Sequence, residues 1–252
     1  GTMSIRRDLA WLRRHAEGYA VWLADVTEDY AVLGLMGPDS ASIAGALDAP
    51  ELNAIGYFRA QQLQTRGIEV LAVRLSYVGE AGWEITVPVA EADALYDLLY
   101  QAGARPAGTL AQTSMRIEKR FLALGHDLDT DVSPLQAGLG FAVAWKTDFI
   151  GKEALVAQRA SGETNRIISL VLDDADADPL GNEPVYFEGR IAGKTTSASF
   201  GYRVGKPIAL ADMSCAAARE PGAQVEIDIA GERFVARVCL LYTSPSPRDR
   251  TT

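Results

Sequence analysis

Residues 74–88, RLSYVGEAGWEITVP, gather two carboxylates, Glu80 and Glu84, and two aromatic rings, Tyr77 and Trp83, around two glycines. A carboxylate accepts paired N–H bonds from a planar nitrogen base as it does from a guanidinium group. Aromatic faces beside it supply stacking area. These residue types suit one wall of a polar-aromatic pocket. The stretch reads as a β-hairpin closed by a tight Gly-Glu-Ala-Gly turn. Period two sets Trp83 and Ile85 on one face of the second strand and Glu84 and Thr86 on the other. Tyr77 and Glu84 then share a face across the hairpin. Spacing alone leaves the two glutamates interchangeable, and an ordinary solvated strand stays open as the plainer reading.

Residues 114–141, SMRIEKRFLALGHDLDTDVSPLQAGLGF, hold the next group of ionisable side chains. Arg116 and Lys119 fall on one helix face with Glu118 beside them, a surface lattice worth a few tenths of a kcal/mol per pair. Asp127, Asp129 and Asp131 alternate as in a calcium loop but lack the glycine and closing glutamate of that pattern. Capping of nearby backbone N–H groups is the expected role. His126 beside Asp127 has the form of a base and its orienter, although a single His at a helix end more often caps or packs. No GxGxxG opens a helix after a strand, so a phosphate cradle is unsupported. No GxSxG elbow is present and no Cys neighbours a His, so covalent catalysis has no candidate.

The elements that must position these groups read as follows. A helix covers 8–15. Two strands are expected within 20–37, around the turn Thr27-Glu28-Asp29. Asp39 or Ser40 caps a helix over 41–47. The hairpin strands are 70–77 and 83–87. Helical spacing recurs over 91–102 and again over 109–122, with Leu110, Met115, Ile117 and Phe121 as core positions. Residues 127–139 form a loop, 141–145 a strand, and a third helix starts near 149. After Gly162 come short strands at 167–172, 185–187, 190–195, 208–211, 225–229 and 233–240, separated by Gly, Pro, Asn and Asp. The fold class is therefore α+β: an α/β layer, then a small antiparallel β-barrel, with the boundary near 160.

Bulk composition narrows the partners. The 252 residues are 48% hydrophobic and carry a net charge of −9. Nucleic acid and anionic membranes call for a basic surface, so neither is expected as a partner. No apolar run approaches the ~20 residues that span a bilayer. Cys215 and Cys239 make neither a zinc pattern nor a disulfide framework, and His15 and His126 are too few for a metal site. No metal is expected, and the cysteine usage points to a cytoplasmic setting. Gly1 and Thr2 read as a remnant before Met3. Residues 241–252, rich in Ser, Pro and Arg, read as a disordered and non-native tail.

Six blocks, taken in order, resemble the glycine-cleavage T-protein (aminomethyltransferase) superfamily: DLAWLRRH, DVTEDYAVLGLMGPDS, RLSYVGEAGWEITVP, SMRIEKRFLALGHDLDTDVSPLQAGLGFAV, DFIGKEAL and IAGKTTSASFGYRVGKPIALA. The resemblance runs from about Asp8 to Leu240. LRRH, GHDLDTDVSPLQAGLGF and DFIGKEAL bring it nearest the folate-binding C-terminal half of sarcosine and dimethylglycine dehydrogenases. The resemblance implies a partial T-protein folate-binding fold with a ferredoxin-like α/β layer over 1–160 and the family's β-barrel over 161–240. It implies tetrahydrofolate as cofactor, held by Glu84 at the pterin ring, Tyr77 beside it, Phe141 near the folate, and Arg116 in a motif with Glu118 that is partly structural. Glu80 becomes a turn residue.

The resemblance also implies what lies elsewhere. Family members carry roughly a hundred or more residues before the Asp8 region, including first strands of the folate domain and a catalytic aspartate, and the dehydrogenases add an FAD domain. On this reading the chain is N-terminally truncated, FAD belongs to the missing part, and the isolated chain is inactive. Gln112 stands where T-proteins usually place a folate-binding arginine, which favours the dehydrogenase branch. The rivals are a stand-alone aminomethyltransferase, whose acidic carrier an acidic surface disfavours, and a folate-dependent demethylase. An iron–sulfur assembly factor of this superfamily would need a cysteine motif that Cys215 and Cys239 do not supply. Tyr242 echoes a late family tyrosine within the suspect tail.

Overall fold

The computed structural model describes residues 4–239. These divide into two compact units at the Ala107–Gly108 junction. The first begins with α1 (Ile5–Ala16), none of whose residues is buried. Ser4 donates its hydroxyl to Asp8 Oδ2 at 2.5 Å, and that bond holds the Asp8 carboxyl below its ordinary value.

Residues 20–26 correct the sequence reading, because no strand forms there. Alternation gives a segment two faces, but a strand also needs a ladder partner. The segment has none among the described residues, and Trp22 stands 86% exposed. Only β1 (Tyr30–Met36) forms from the expected pair. It is followed by α2 (Ser40–Gly45), α3 (Glu51–Ala54), β2 (Ala60–Thr65), β3 (Ile68–Val73), β4 (Gly82–Pro88) and α4 (Ala92–Gln101).

The four strands make one antiparallel sheet in the order β1-β4-β3-β2. Burial along β4 alternates as period two requires: Trp83, Ile85 and Val87 are buried, and Glu84, Thr86 and Pro88 are half-buried. The inner face joins Leu35, Val70, Ala72 and Ile85 to Leu47 in the turn after α2, Leu52 of α3, and Leu95 and Leu99 of α4 in one core. Trp83 is fully buried, and its indole N–H donates to Leu52 O at 2.9 Å.

The second unit starts with α5 (Thr109–Glu118). The helix stops at Glu118, four residues short of the expected Leu122, and Arg120, at φ 55°, lies in the left-handed region that ends a helix. The buried residues of α5 are Ser114, Arg116, Ile117 and Glu118. Leu110, expected in the core, is 85% exposed, because it lies a full turn before the part of the helix that is covered.

Residues 141–145 also depart from expectation. A 3-10 turn (Gly140–Ala142) occupies the start of the span. Local bonds, Ala142 N to Leu139 O at 2.9 Å and Trp145 N to Val143 O at 2.9 Å, take up the backbone groups that a strand would offer a neighbour. Helix α6 (Lys152–Ser161) follows.

All six late strands form: β5 (Arg166–Leu172), β6 (Pro184–Phe187), β7 (Arg190–Gly201), β8 (Lys206–Met213), β9 (Gln224–Ile229) and β10 (Glu232–Cys239). They close as a barrel in the order β10-β5-β8-β7-β6-β9. Leu170, Val185, Ala211, Ile227 and Ala236 belong to one of its cores. Ile117 of α5 packs with Ile167, Ile208 and Leu210 in a separate cluster. Alternate residues of β5 thus enter different cores, Ile167 one and Ile168 the other, as the strand period dictates. Tyr242 and the expected tail lie outside the described residues.

Candidate functional site

The four residues singled out from the sequence fall two in each unit: Tyr77 and Glu84 in the first, Arg116 and Phe141 in the second.

Glu84 sits mid-strand on β4, on the sheet face opposite the helices. Its ladder neighbours are Gly34 on β1 and Val73 on β3. Gly34 has no side chain, and a Cβ built there would meet only Met36 Cε at 3.5 Å. The carboxylate is therefore uncovered on the β1 side. It is half-buried, and it makes no hydrogen bond or ion pair with any described residue. A half-desolvated carboxylate without a donor is a receptive acceptor for a ligand N–H.

Tyr77 departs from the hairpin reading. β3 ends at Val73 and β4 begins at Gly82, so residues 74–81 form a long connection in place of a tight turn. Val73, not Tyr77, lies opposite Glu84. The cause is visible at Arg74. Its backbone pairs with the 56–59 segment, Arg74 N to Arg59 O at 3.0 Å and Phe58 N to Arg74 O at 2.9 Å. Its guanidinium donates to Ile55 O at 3.0 Å and lies 5.2 Å from the Trp83 ring centroid. Beyond Arg74 the ladder to β4 stops. The loop is then pinned at its far end, where Ala81 O accepts from Gly37 N at 2.9 Å and from the Ser40 hydroxyl at 3.0 Å. Tyr77 and Glu80 are half-buried within it.

In the second unit, Arg116 is 4% exposed. Its guanidinium donates to Asp127 Oδ2 at 2.6 Å, Ser197 Oγ at 2.7 Å and Phe121 O at 3.1 Å. Asp127 also accepts from Ala123 N at 2.8 Å and from the Thr196 hydroxyl at 2.5 Å. Glu118, 4% exposed, accepts from Arg203 N at 2.7 Å and Val204 N at 3.2 Å. Ser114 donates to Phe200 O at 2.6 Å. Alternate residues of α5 thus grip β7 and the turn after it. Gly201 leaves room for this seam, because a Cβ there would lie 2.4 Å from Ile208 Cδ1 and 3.1 Å from Glu118 Oε1. The surface lattice expected from the RIEK spacing is not what forms.

Asp127 caps backbone as expected and also neutralises Arg116. Its bonds go to Arg116, Ala123 and Thr196, and His126 is exposed. Thr196 and Ser197 escaped the sequence reading, and their only signal was a run of small hydroxyl residues in a barrel strand. Phe141 is 72% exposed in the 3-10 turn. Among the described residues no group of three His, Cys, Asp or Glu side chains is placed to hold a metal ion. No helix among the described residues is long and apolar enough to cross a membrane.

Comparison with known proteins gives these features a family. Residues 1–147 match the GCVT N-terminal domain, and residues 165–243 match the glycine cleavage T-protein C-terminal barrel domain. Human mitochondrial dimethylglycine dehydrogenase is 34% identical over 98% of this chain, which spans 30% of that protein. The aminomethyltransferase of Methylococcus capsulatus is 36% identical over 92% of the chain, which spans 65% of it. That of Moorella thermoacetica is 34% identical over 94% of the chain, which spans 66% of it. The crystal structure of glycine cleavage system aminomethyltransferase T from Bartonella henselae superposes with a TM-score of 0.84 over 96% of this chain and 67% of that one, at 24% identity. With both domain models matched in order and the barrel closed as described, the chain belongs to the glycine cleavage T-protein family.

Proposed function

We propose that this chain is the tetrahydrofolate-binding portion of an amine-demethylating enzyme of the dimethylglycine or sarcosine dehydrogenase kind. The observation that carries the reading is Glu84: a half-buried carboxylate without a described donor, opposite a glycine, on an open sheet face. That arrangement fits a flat heterocycle rich in N–H groups. We assign Glu84 to hold the pterin, with Tyr77 as its aromatic contact; for Phe141, in the second unit, we keep the folate contact that the family resemblance implies. Arg116 spends its donors inside the second unit, so its assigned part is to position α5 and the loop leading to Phe141. Tetrahydrofolate, when bound, supplies the nitrogen that takes up the one-carbon unit as 5,10-methylenetetrahydrofolate. The side chains of this portion bind and orient it and exclude water. We assign amine oxidation at FAD to a separate domain, and the folate-binding and barrel portions to 1–160 and 161–240.

Titration with tetrahydrofolate tests the assignment. Loss of a hydrogen-bonded charge of ~1.5–3 kcal/mol makes Glu84→Ala bind about 10- to 100-fold more weakly, with an unchanged thermal midpoint. Equal affinities would remove Glu84 from the site. The chain alone should not turn over dimethylglycine or sarcosine, and measurable demethylation would overturn that expectation.

A second reading, aminomethyl transfer, is favoured by the 34–36% identity to aminomethyltransferases. Gln112, exposed on α5, favours the first, since the T-protein resemblance calls for arginine there. Gln112→Arg separates them: a gain in folate affinity would mean that the site is built on the transferase plan.

A further inference from the structure

The connection from β3 to β4 starts and finishes against one side chain. Arg74 opens it, and Trp83, just past its end, carries the Arg74 guanidinium 5.2 Å from its ring centroid. The same guanidinium donates through Nη1 to Ile55 O at 3.0 Å and to Asn53 O at 3.2 Å, at the end of α3. Among the described residues no carboxylate pairs with Arg74, so its charge meets only carbonyl dipoles and an indole face. A planar cation held this way fixes geometry rather than neutralising a charge. Arg74 alternates with Val73 onto the covered face of the sheet, away from the face that bears Glu84. Inside the connection the ordering is local: Val78 is buried, its N–H bonds to Ser76 Oγ at 3.2 Å, and Gly79 takes φ 74°. The far end is fixed by the bonds that Ala81 O accepts from Gly37 N and the Ser40 hydroxyl. Compact loops whose ends lie together in this way frequently carry functional side chains.

We infer, resting on the reading of Tyr77 and Glu84 as folate contacts, that Arg74 is a positioning residue for that site, setting Tyr77 through the base of the loop. Tyr77 stands three residues past Arg74, and Glu84 follows directly on Trp83. One side chain therefore sits at the root of both contacts. A ring held in place before the ligand arrives loses less freedom on binding. Without Arg74 the first end of the loop is released, and the ligand must order Tyr77 itself. Glu84 stays in place, because β4 is held by its ladders to β1 and β3.

Arg74→Gln should weaken tetrahydrofolate binding about 3- to 10-fold. Arg74→Lys returns a cation with donors for both carbonyls and should recover most of the loss. A double-mutant cycle separates positioning from general damage. In a Tyr77→Ala background Arg74→Gln should cost nothing further, whereas beside Glu84→Ala it should cost its full factor. Equal losses in both backgrounds overturn the inference, since the whole unit would then be at fault. Amide exchange gives a readout that needs no ligand: in Arg74→Gln, residues 75–80 should exchange faster while β1 and β4 stay as protected as in the parent chain. Unchanged exchange over 75–80 overturns the inference as well. A parent chain that binds no tetrahydrofolate would overturn the functional reading, and the part of Arg74 in the site would fall with it. Intact binding with Glu84→Ala weakened and Arg74→Gln unaffected would leave that reading standing and remove Arg74 alone.

Discussion

Asp127→Ala unfolds the second unit at markedly lower temperature or denaturant than the parent chain. The carboxylate is fully buried and serves three donors at once: the Arg116 guanidinium, the Ala123 amide and the Thr196 hydroxyl. Breaking a buried ion pair from one side costs about 3–5 kcal/mol, because the remaining charge stays desolvated. At about 3 °C per kcal/mol for a unit of this size, the midpoint falls by ~10–15 °C. Asp127→Asn keeps one acceptor oxygen and should cost clearly less. Arg116→Met paired with Asp127→Leu should recover part of the loss, since no lone charge is left behind. Calorimetry reads all three, and an alanine variant within 1 °C of the parent would show that the pair is not buried in solution.

Trp83→Ala is the counterpart in the first unit. Trp83 is the largest fully buried side chain, so truncation removes packing and opens a cavity, for about 3–5 kcal/mol. The Leu52 carbonyl loses its indole donor, and the Arg74 guanidinium loses the ring beside it. Trp83→Phe keeps most of the volume and should cost about 1–2 kcal/mol, chiefly for the orphaned carbonyl. Because Trp83 and Glu84 are adjacent on β4, the alanine variant should lose tetrahydrofolate affinity and stability together. Glu84→Ala loses affinity alone. That contrast distinguishes a scaffold residue from a contact, and a Trp83→Ala chain with full stability would contradict the burial of the indole.

Legibility in the sequence followed the range of the interactions. The six barrel strands were readable because each is a short apolar run closed by turn residues, a signal within ten residues of chain. The two faces of β4 were readable for the same reason. Residues 20–26 and 141–145 carry the same apolar signature, but whether such a run becomes a strand depends on a ladder partner that the run does not encode. Tyr77 went astray through Arg74, whose pairing with the 56–59 segment ends the ladder early. Arg116 looked like a surface cation because its neighbours in sequence are charged. Its partners, Asp127 and Ser197, are 11 and 81 residues away. The isolation of Glu84 likewise depends on a register that sets Gly34 across from it.

The seam between α5 and β7 also bears on how the chain is born. The β7 and turn residues that bond Ser114, Arg116 and Glu118 lie 81 to 86 positions later, although Asp127, the other partner of Arg116, follows it by only 11. At roughly 5–20 residues per second of synthesis, α5 emerges about 4–17 s before them. During that interval it holds a cation and a carboxylate meant for burial, with Ile117 between them and no barrel to cover it. The helix is therefore a late-docking element, ordered by the arrival of β7. Closure over such sequence distances is slow by its chain entropy.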